Sequence, residues 1–460
     1  WTMFLTCPAM PPRPPHPLTP WRWVTTARDN GLAIWHQGAF SSLLMHRRLP
    51  GRDLWVLNNP RDIRQVLVTD AAQYTKSPET WRSLKPLIGN SLFISEGEDW
   101  RLRRRVIAPM LTGPERMRAY EATMIEVVEE MLGRWERLGE GGELEMGWEC
   151  IQLAAEVISR ALFSFPLGNH THTIFEAFSQ YQATLGRLDL MSLVGLPAWL
   201  PRPGESSARR AVGLLEGVVE AIVAAARQRS SPYDDLPELL MGTQSSPQQE
   251  SLGPTQLRDE FMLALLAGHE TTASALSWAY YLLSLDQRVR GELEAEVDRE
   301  LAGSRPCPGE LERLPYTRAL VSEVLRLYPP IYQFSRQVRG EASLEGRNLA
   351  PGSLIVISPW VLHRHRRYWK NPDAFIPERF LESGGRRRRQ CYIPFGAGPR
   401  VCPGAGFAMH EMVYALAMSA QRFRLDLRPG TVVEPLGRLT LRPRNDLPML
   451  LSHRRGMPPG

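Results

Sequence analysis

The chain has 460 residues, of which 43% are hydrophobic and 23% charged, and its formal net charge is +6. These values describe an ordinary globular protein, and no apolar run reaches the roughly 18 residues that would span a bilayer. We therefore expect neither a transmembrane anchor nor a signal peptide. The modest positive charge suits an acidic partner or an anionic membrane surface, whereas the lack of a DNA-binding motif argues against nucleic acid.

The domain organisation predicted from the sequence is one large α-rich domain over residues 21–453. Prolines crowd residues 1–20, which we expect to form an extended or disordered arm. Residues 454–460 are expected to be a flexible tail. The cysteines are few and scattered, which favours a reducing cytoplasm over a disulfide framework. They are Cys7, Cys150, Cys307, Cys391 and Cys402.

Hydrophobic periodicity predicts helices in the first half of the chain. They cover residues 115–138, 148–163 and 208–229. The composition of segments 196–207 and 230–254 predicts surface loops. Strand signals are sparse and cluster at 335–361 and 423–452. The predicted fold class is therefore mainly α, with a small β-sheet portion.

A long apolar helix is predicted over residues 255–285, and its centre is unusually polar. Ala267 and Gly268 are small enough to let a flat ligand approach the backbone. Thr271 can donate its hydroxyl hydrogen to the Ala267 carbonyl one turn earlier and bend the helix, and Glu270 beside it can relay protons. A core helix with satisfied hydroxyls is the alternative that these residues alone leave open.

The helix predicted over residues 316–330 carries Glu323 and Arg326 on one face, because they are three positions apart. Further along, the proline- and aromatic-rich segment 371–381 contains Arg379. If Arg379 reaches the first two side chains, the three form a partly buried ion network that ties a helix to an irregular segment. An exposed pair of little energetic consequence is the alternative.

Cys402 lies in a glycine-rich loop, FGAGPRVCPGAG, directly before a predicted helix. Backbone N–H groups and the helix dipole at such a position stabilise a thiolate. Gly398 and Gly404 permit tight turns and the close approach of a large flat group. Arg400 is placed to bind a nearby carboxylate.

Three interpretations of this loop compete. A zinc site would use Cys391, Cys402 and His410, which lack the usual short ligand spacing. A plain structural loop is the second interpretation. A haem-thiolate centre is the third, and it explains the loop, the arginine and the helix together.

The motifs together resemble those of the cytochrome P-450 superfamily. FGAGPRVCPG is similar to its haem-binding loop, AGHETT to the centre of its oxygen-activating helix, and FIPERF to its P-E-R-F segment. Glu323 and Arg326 match its E-x-x-R pair, and WRLRR its W-x-x-x-R motif. Order and spacing also agree, and the resemblance runs from about residue 20 to residue 453. The matching residues of the cysteine loop are Phe395, Gly398, Arg400, Cys402 and Gly404.

The resemblance implies the family's triangular, α-rich fold and a haem b (protohaem IX) whose iron is bound by the Cys402 thiolate. It implies insertion of one oxygen atom from O₂ into a substrate, by hydroxylation or epoxidation. Thr271 and Glu270 would organise water and deliver protons. Phe395 would pack beside the sulfur and tune its electronics.

Further residues receive roles from the same resemblance. Those implied to hold the haem propionates are Trp100, Arg104, Arg336 and Arg400. Those implied to lie against the haem are Ala267, Gly268, Gly398 and Gly404. Those implied to be structural, fixing the core around the cysteine loop, are Glu323, Arg326 and Arg379.

The resemblance also implies electrons from NAD(P)H, delivered by a ferredoxin or flavodoxin and its reductase. We expect these to be separate chains, because no flavin or iron–sulfur domain follows residue 453. The expected dock for such an acidic partner is a run formed by Arg386, Arg387, Arg388 and Arg389. Arg101, Arg103 and Arg105 are candidates to extend it, and a solvated basic loop is the alternative. We expect a monomeric, cytoplasmic, bacterial-type member.

The segments expected to line the substrate pocket are apolar and carry no charged anchor. We therefore expect a large hydrophobic substrate: a terpenoid or carotenoid, a fatty acid, or a polyketide-like molecule. The alternative for many of these side chains is that they fill the core. They include Leu84, Leu87, Ile88, Leu92, Phe93 and Ile94, then Leu263 and Leu266, then Ile331, Tyr332 and Phe334, and also Leu188, Leu190, Met191, Leu193 and Val194.

Two other functions stay open at this point. One is a haem-thiolate enzyme that uses peroxide or rearranges an oxygenated substrate without external electrons. The other is a non-catalytic haem-binding or sensing protein. The presence of both Glu270 and Thr271 disfavours the peroxide-driven and isomerase-type branches of the family, which often depart at these positions.

Overall fold

The fold is seen in a computed structural model of the chain. The structure describes residues 5–49, 51–184, 204–228, 236–237, 252–381 and 390–454. Several predicted features lie outside the described residues. They are Arg386, Arg387, Arg388 and Arg389, the pocket residues at 188–194, most of the loops at 196–207 and 230–254, and residues 455–460 of the tail.

Helices make up most of the described chain. The first half contains α1 (Pro20–Asp29), α2 (Pro60–Arg64), α3 (Pro78–Ile88), α4 (Gly97–Thr112), α5 (Pro114–Leu138), α6 (Met146–Phe163), α7 (His170–Thr184) and α8 (Glu205–Arg227). The second half contains α9 (Pro254–Leu285), α10 (Gln287–Leu301), α11 (Pro315–Leu327), α12 (Pro359–Leu362) and α13 (Ala405–Arg422). The prediction of a mainly helical fold is confirmed.

The long helices begin and end close to the predicted positions, because proline and glycine mark their ends. Helix α9 starts with Pro254 in its first turn, where a missing N–H costs nothing. The Gln256 side chain accepts a hydrogen bond of 2.8 Å from the N–H of Gly253 and caps this end. Helix α5 likewise begins at Pro114 and stops before Gly139, whose φ is +73°.

Helix α9 is the axis of the domain. Its residues are buried along most of its length, and it packs closely against α6, with further contacts to α11 and α13. A helix that is apolar on all sides belongs in the interior of a large domain. Among the described helices, none is both long enough and apolar enough to cross a membrane.

The β portion consists of small sheets beside the helices. In the larger sheet the order is β1-β2-β8-β5-β3, and β2 and β8 run parallel while the other pairs are antiparallel. Its strands are β1 (Leu44–Leu49), β2 (Arg52–Leu57), β3 (Tyr74–Lys76), β5 (Phe334–Val338) and β8 (Leu354–Ile357). The remaining strands are β4 (Glu143–Glu145), β6 (Ala342–Leu344), β7 (Arg347–Leu349), β9 (Phe423–Leu427), β10 (Pro435–Gly437), β11 (Leu441–Pro443) and β12 (Pro448–His453).

The remaining strands form smaller sheets, and most of them lie where the sequence predicts strands. Strand order in the three-stranded sheet is β4-β12-β9, and the pairs β6–β7 and β10–β11 are hairpins. The strands after residue 334 occupy both segments in which strands are predicted. Strands β1 to β4 are not among the strands predicted from the sequence.

The proline-rich arm is extended and lies against the domain. Residues 5–19 contain no helix or strand. The carbonyl of Ala9 accepts a 2.7 Å hydrogen bond from the Tyr328 hydroxyl. Arg13 binds both oxygens of Asp373, at 2.5 and 3.0 Å. The arm therefore connects the N-terminus to the irregular segment between α12 and α13.

Candidate active site

The cysteine loop is folded tightly before α13. After Phe395 the chain makes a 3-10 turn at Gly398–Arg400, and α13 begins shortly afterwards. The N–H of Cys402 donates to the Phe395 carbonyl at 3.0 Å, which folds the loop back on itself. Cys402 is exposed and lines a cavity.

Gly398 holds this loop against the rest of the domain. Its φ is +74°, a conformation that side-chain-bearing residues rarely adopt. A Cβ atom at this position would lie 2.0 Å from the carbonyl oxygen of Leu67. The loop can therefore approach the chain after α2 only because residue 398 has no side chain.

The sulfur of Cys402 experiences opposing influences. Burial raises the pKa of the thiol, whereas a hydrogen bond from the Gly404 N–H and the positive charge of Arg104 lower it. Burial is the larger influence, and the Gly404 N–H acts in the direction expected from the sequence. A thiol that binds a metal ion is deprotonated by it.

The zinc interpretation finds no support in the described part of the chain. There, no group of three or more His, Cys, Asp and Glu side chains is arranged to hold a metal ion. Cys391 is fully buried. His410 faces Glu121 instead, with 2.7 Å between Nδ1 and Oε1.

The polar centre of α9 lies beside the cavity. The Thr271 hydroxyl donates to the Ala267 carbonyl at 2.8 Å, the hydrogen bond predicted from the spacing. Ala267 and Thr271 both line the cavity. Gly268 has a second role, because a Cβ there would lie 2.5 Å from Cγ1 of Ile158 on α6. Its missing side chain lets α6 and α9 pack closely.

Glu270 is buried beside the cavity between three structural elements. One carboxylate oxygen, Oε1, accepts a hydrogen bond of 2.9 Å from the Gln182 amide and one of 2.7 Å from the Thr440 hydroxyl. Gln182 lies in the last turn of α7, and Thr440 in the turn between β10 and β11. Neither partner is identifiable from the sequence, because both are distant along the chain.

The cavity between the sulfur and α9 has a volume of about 1110 Å³. This exceeds the roughly 300–1,000 Å³ of ordinary ligand pockets, and the walls are mostly apolar. Ile94, expected in the lining, is instead fully buried in the core. The predicted residues that line the cavity are Leu84, Leu87, Ile88, Leu92, Phe93, Leu263, Leu266, Ile331, Tyr332 and Phe334.

Basic side chains line the cavity beside the cysteine loop. Burial, followed by the positive charge of Arg400, lowers the pKa of Arg336 to about 10. Burial and the charges of Arg336 and Arg400 hold the pKa of Lys76 well below its usual range. Glu96 offsets part of this charge through an ion pair of 2.7 Å with Arg400. The group therefore carries excess positive charge facing the cavity.

Lys76 was not identified from the sequence. It lies in β3, directly opposite Arg336 of β5 in the antiparallel register. Like charges in this position destabilise a sheet, so the pair indicates a bound anion. Its ammonium also lies 3.7 Å from the centre of the Phe93 ring. The juxtaposition of Lys76 and Arg336 can be recognised only when the pairing of β3 with β5 is known.

Trp100 and Arg104 approach the same place from α4. The Arg104 guanidinium donates to the Val401 carbonyl at 2.9 Å, which attaches α4 to the cysteine loop. Trp100 lies under Arg400, with 4.3 Å between the guanidinium carbon and the ring centre. Both Trp100 and Arg104 line the cavity.

The three members of the predicted ion network meet in the core. Arg326 binds both oxygens of Glu323 at 2.7 Å, and the two side chains are fully buried. Arg379 reaches Oε1 of Glu323 at 3.2 Å. Arg326 also donates to the carbonyls of Pro372 and Ala374. The network thus connects α11 to the irregular segment that precedes the cysteine loop.

Arg103 is not part of a surface patch, which corrects the expectation from sequence. Its side chain is 1% exposed and binds Glu260 of α9 at 2.6 Å. Glu260 also accepts the N–H of Leu92 at 2.8 Å. Arg103 and Glu260 therefore anchor the segment between α3 and α4 that lines the cavity. Arg101 and Arg105, its neighbours on α4, are exposed.

A comparison with known families decides the identity of this site. The family profile described as "Cytochrome P450" matches residues 37–447, which include α9 and the cysteine loop. The chain belongs to the cytochrome P450 family. A solved mutant haem domain of cytochrome P450DA has the same fold, with a TM-score of 0.78 and 25% sequence identity over 90% of each chain.

Curated relatives of this P450 come from bacteria and plants. "Cyclooctatin synthase" of Streptomyces melanosporofaciens is 32% identical over 400 residues, 86% of each chain. "Carotene epsilon-monooxygenase, chloroplastic" of Arabidopsis thaliana is 30% identical over 80% of this chain and 72% of the relative. "Pentalenene oxygenase" of Streptomyces avermitilis is 27% identical over 86% of this chain and 87% of the relative. The chain is a cytochrome P450 monooxygenase with a haem-thiolate cofactor.

The residues around the cavity fit a haem. The donor set offers a cysteine sulfur that opens into the cavity, which suits the iron. The excess positive charge of Lys76, Arg336 and Arg400 suits the two propionates, because a carboxylate ligand would relieve their mutual repulsion. Ala267 of α9, whose side chain is a single methyl group, lines the same cavity.

Proposed function

We propose that this P450 monooxygenase hydroxylates or epoxidises a large hydrophobic substrate of the terpenoid class. The observation that carries the proposal is the mostly apolar lining of the cavity, which extends beyond the haem site at Cys402 to Leu84, Phe178 and Ile331. The similarity to cyclooctatin synthase, carotene epsilon-monooxygenase and pentalenene oxygenase favours terpenoids over fatty acids and polyketides.

The reaction takes one O₂, two electrons and two protons, and it yields oxidised substrate and one water. When bound, the haem supplies the chemistry that activates oxygen. In the proposed arrangement Cys402 binds the iron and Phe395 packs beside the sulfur. Ala267 leaves room for the ring on the side of α9. Gly398 and Gly404 shape the loop on the opposite side.

The basic residues of the cavity hold the propionates in this proposal. Lys76 and Arg336 reach them from the sheet, Arg104 from α4, and Arg400 from the cysteine loop. Trp100 supports Arg400 by stacking under its guanidinium. When haem is bound, these side chains would fix its orientation in the cavity.

Thr271 and Glu270 handle protons in this proposal. The Thr271 hydroxyl, held by the Ala267 carbonyl, faces the cavity and orients water there. Glu270 is an acid at the cavity edge, one residue away, and moves protons toward that water. The ion network of Glu323, Arg326 and Arg379 keeps the segment before the cysteine loop in place.

We propose that electrons arrive from a separate ferredoxin or flavodoxin with its NAD(P)H reductase. The bacterial relative cyclooctatin synthase is matched over 86% of its own length, so it contains little beyond this domain. The dock proposed for the acidic partner is the run of Arg386, Arg387, Arg388 and Arg389. The cysteines are few and widely scattered along the chain, which supports a reducing, cytoplasmic location for a monomeric enzyme.

The first test is the spectrum of the reduced protein with carbon monoxide. We expect the absorption typical of thiolate-ligated haem, because the Cys402 sulfur opens into the cavity. Cys402→Ser should abolish it, whereas Cys391→Ser, in the same segment, should leave it unchanged. A wild-type spectrum without the thiolate signature would contradict the assignment of the cofactor site.

The substrate class is tested by titrating the oxidised protein with three panels of compounds. We expect cyclic terpene hydrocarbons and alcohols to change the haem spectrum at lower concentrations than fatty acids or macrolide precursors of similar mass. The apolar lining is the physical reason. Spectral changes with small polar compounds alone would refute the proposed substrate class.

A further inference from the structure

We propose that Gln182 and Thr440 are positioning residues that hold the carboxylate of Glu270 at the edge of the cavity and so set proton delivery. The inference rests on the proposed function, in which Glu270 moves protons. Both residues donate hydrogen bonds to the same oxygen of Glu270, at 2.9 and 2.7 Å. They act on the reaction only through Glu270.

The carboxylate needs these donors because it is buried without an ion pair among the described residues; the adjacent His269 interacts with it electrostatically, but burial lowers the pKa of that imidazole. Glu270 is 5% exposed, and Gln182 and Thr440 are 0% and 5% exposed. In the described part of the chain, no Lys, Arg or His side chain forms an ion pair with Glu270. A buried carboxylate without a counter-ion is stabilised by hydrogen-bond donors. The amide and the hydroxyl fill this role together.

The neighbouring polar residues of α9 are engaged elsewhere. Thr271 donates its hydroxyl hydrogen to Ala267. Nδ1 of His269 lies 2.9 Å from the Leu265 carbonyl. The position of the Glu270 carboxylate is therefore not set by its neighbours in sequence. It is set from α7 and from the turn before β11.

The Thr440 donor is held in place by the turn that carries it. The turn containing Thr440 is closed by a hydrogen bond of 3.0 Å from the Arg438 N–H to the Thr440 carbonyl. The next residue, Leu441, donates its N–H to the Pro330 carbonyl at 2.8 Å. Its carbonyl accepts the hydroxyl of Ser274, one turn after Glu270 on α9. The Thr440 hydroxyl is thus fixed relative to α9.

The same elements also face the cavity. Phe178, one turn before Gln182 on α7, lines it, and so does Leu439 beside Thr440. A ligand in the cavity thus contacts the two elements that hold the acid. The position of Glu270 is consequently linked to the shape of the substrate side of the cavity.

The test uses Thr440→Val and Gln182→Leu, which keep the shape of each side chain and remove its donor. Thr440→Ser keeps the hydroxyl and serves as the conservative variant. Thr317→Val is the matched control, because the buried Thr317 hydroxyl donates a bond of 2.7 Å to Glu296, away from the cavity. Glu270→Gln identifies the infrared carboxylate band of Glu270 by difference.

Two readouts are expected to change together. In the infrared spectrum of the oxidised holoenzyme, the Glu270 band should shift in Thr440→Val and in Gln182→Leu, but not in Thr440→Ser or Thr317→Val. In turnover without added substrate, with a surrogate ferredoxin and its reductase, more of the O₂ consumed should end as H₂O₂ rather than water. Oxygen consumption should slow on the order of tenfold in Thr440→Val and Gln182→Leu, and about a hundredfold in Glu270→Gln.

Each failure has a separate meaning. Wild-type values of both readouts in Thr440→Val and Gln182→Leu, beside a clear effect of Glu270→Gln, would refute the positioning role. If Gln182→Leu does not fold, the comparison of Thr440→Val with Thr440→Ser decides the question alone. A carbon monoxide spectrum without the thiolate signature refutes the proposed function instead, and the infrared test does not depend on it.

Discussion

Gly398 and Gly404 of the cysteine loop have different surroundings. From the sequence, both are expected to permit tight turns and the close approach of a large flat group. Gly398 has a φ of +74° and lies against the Leu67 carbonyl. Gly404 has an ordinary φ of −84° as the N-cap residue of α13, and a Cβ there would lie 3.9 Å from the nearest atom, the Cys402 sulfur. Only Gly398 is irreplaceable for both backbone and packing reasons.

Alanine substitutions at the glycines of this loop should therefore lower the thermal stability of the protein by clearly different amounts. Gly398→Ala should be the most damaging, because its Cβ meets a backbone oxygen that cannot move aside. Gly396→Ala is the matched control, since its φ is +76° and nothing lies within 4 Å. It should cost only the left-handed conformation, about 1–2 kcal/mol. Gly404→Ala should melt close to the wild type, and a Gly398→Ala protein as stable as Gly396→Ala would contradict this account.

At the scale of elements, local signals in the sequence reveal long helices but not their partners. The bounds of α5 and α9 follow from periodicity and from proline and glycine at their ends. Glu323 and Arg326 could be paired from their spacing, and Arg379 could be added to them from the resemblance of its segment to a family motif. Lys76 could not, because its importance depends on strand pairing. Arg103 was misplaced because its partner Glu260 lies 157 positions away.

The contact between α4 and α9 through Arg103 and Glu260 should make stability depend on pH. Burial raises the pKa of Glu260 to about 7, although Arg103 lowers it in part. The unfolded value is near 4.5, so the unfolded chain releases the proton first as pH rises. The stability contributed by protonated Glu260 is full below pH 4.5 and declines up to about pH 7.

The measurement compares the thermal unfolding of the wild type with that of Glu260→Gln between pH 4.5 and 8. The wild type should lose stability relative to the variant over the lower part of this range, by an amount on the order of 3 kcal/mol, and the difference should then level off. Asp99→Asn, which removes a partly exposed partner of Arg103, is the control. If the wild type instead becomes more stable relative to Glu260→Gln as pH rises, the ion pair with Arg103 stabilises the charged carboxylate by more than its burial costs.

The whole molecule is organised around a cavity that carries a cluster of positive charge beside the cysteine loop. Lys76, Arg336 and Arg400 repel one another, and Glu96 offsets only part of their charge. Such a group lowers the stability of the chain by itself and raises its affinity for an anion. Binding to the folded state alone then stabilises it by mass action. Folding and haem binding thus place opposite demands on these residues.

Substitution of Lys76 should separate these two demands. Lys76→Met should leave the haem-free protein at least as stable as the wild type, because a partly buried cation is replaced by an apolar chain of similar length. The same variant should release haem to a scavenging apoprotein on the order of tenfold faster, since a hydrogen bond to a charged group is lost. Lys85→Met is the matched control, because Lys85 lies 3.9 Å from the Trp81 ring but on the exposed surface. A Lys76→Met protein that is less stable without haem, with unchanged haem release, would show that Lys76 supports the fold rather than the cofactor.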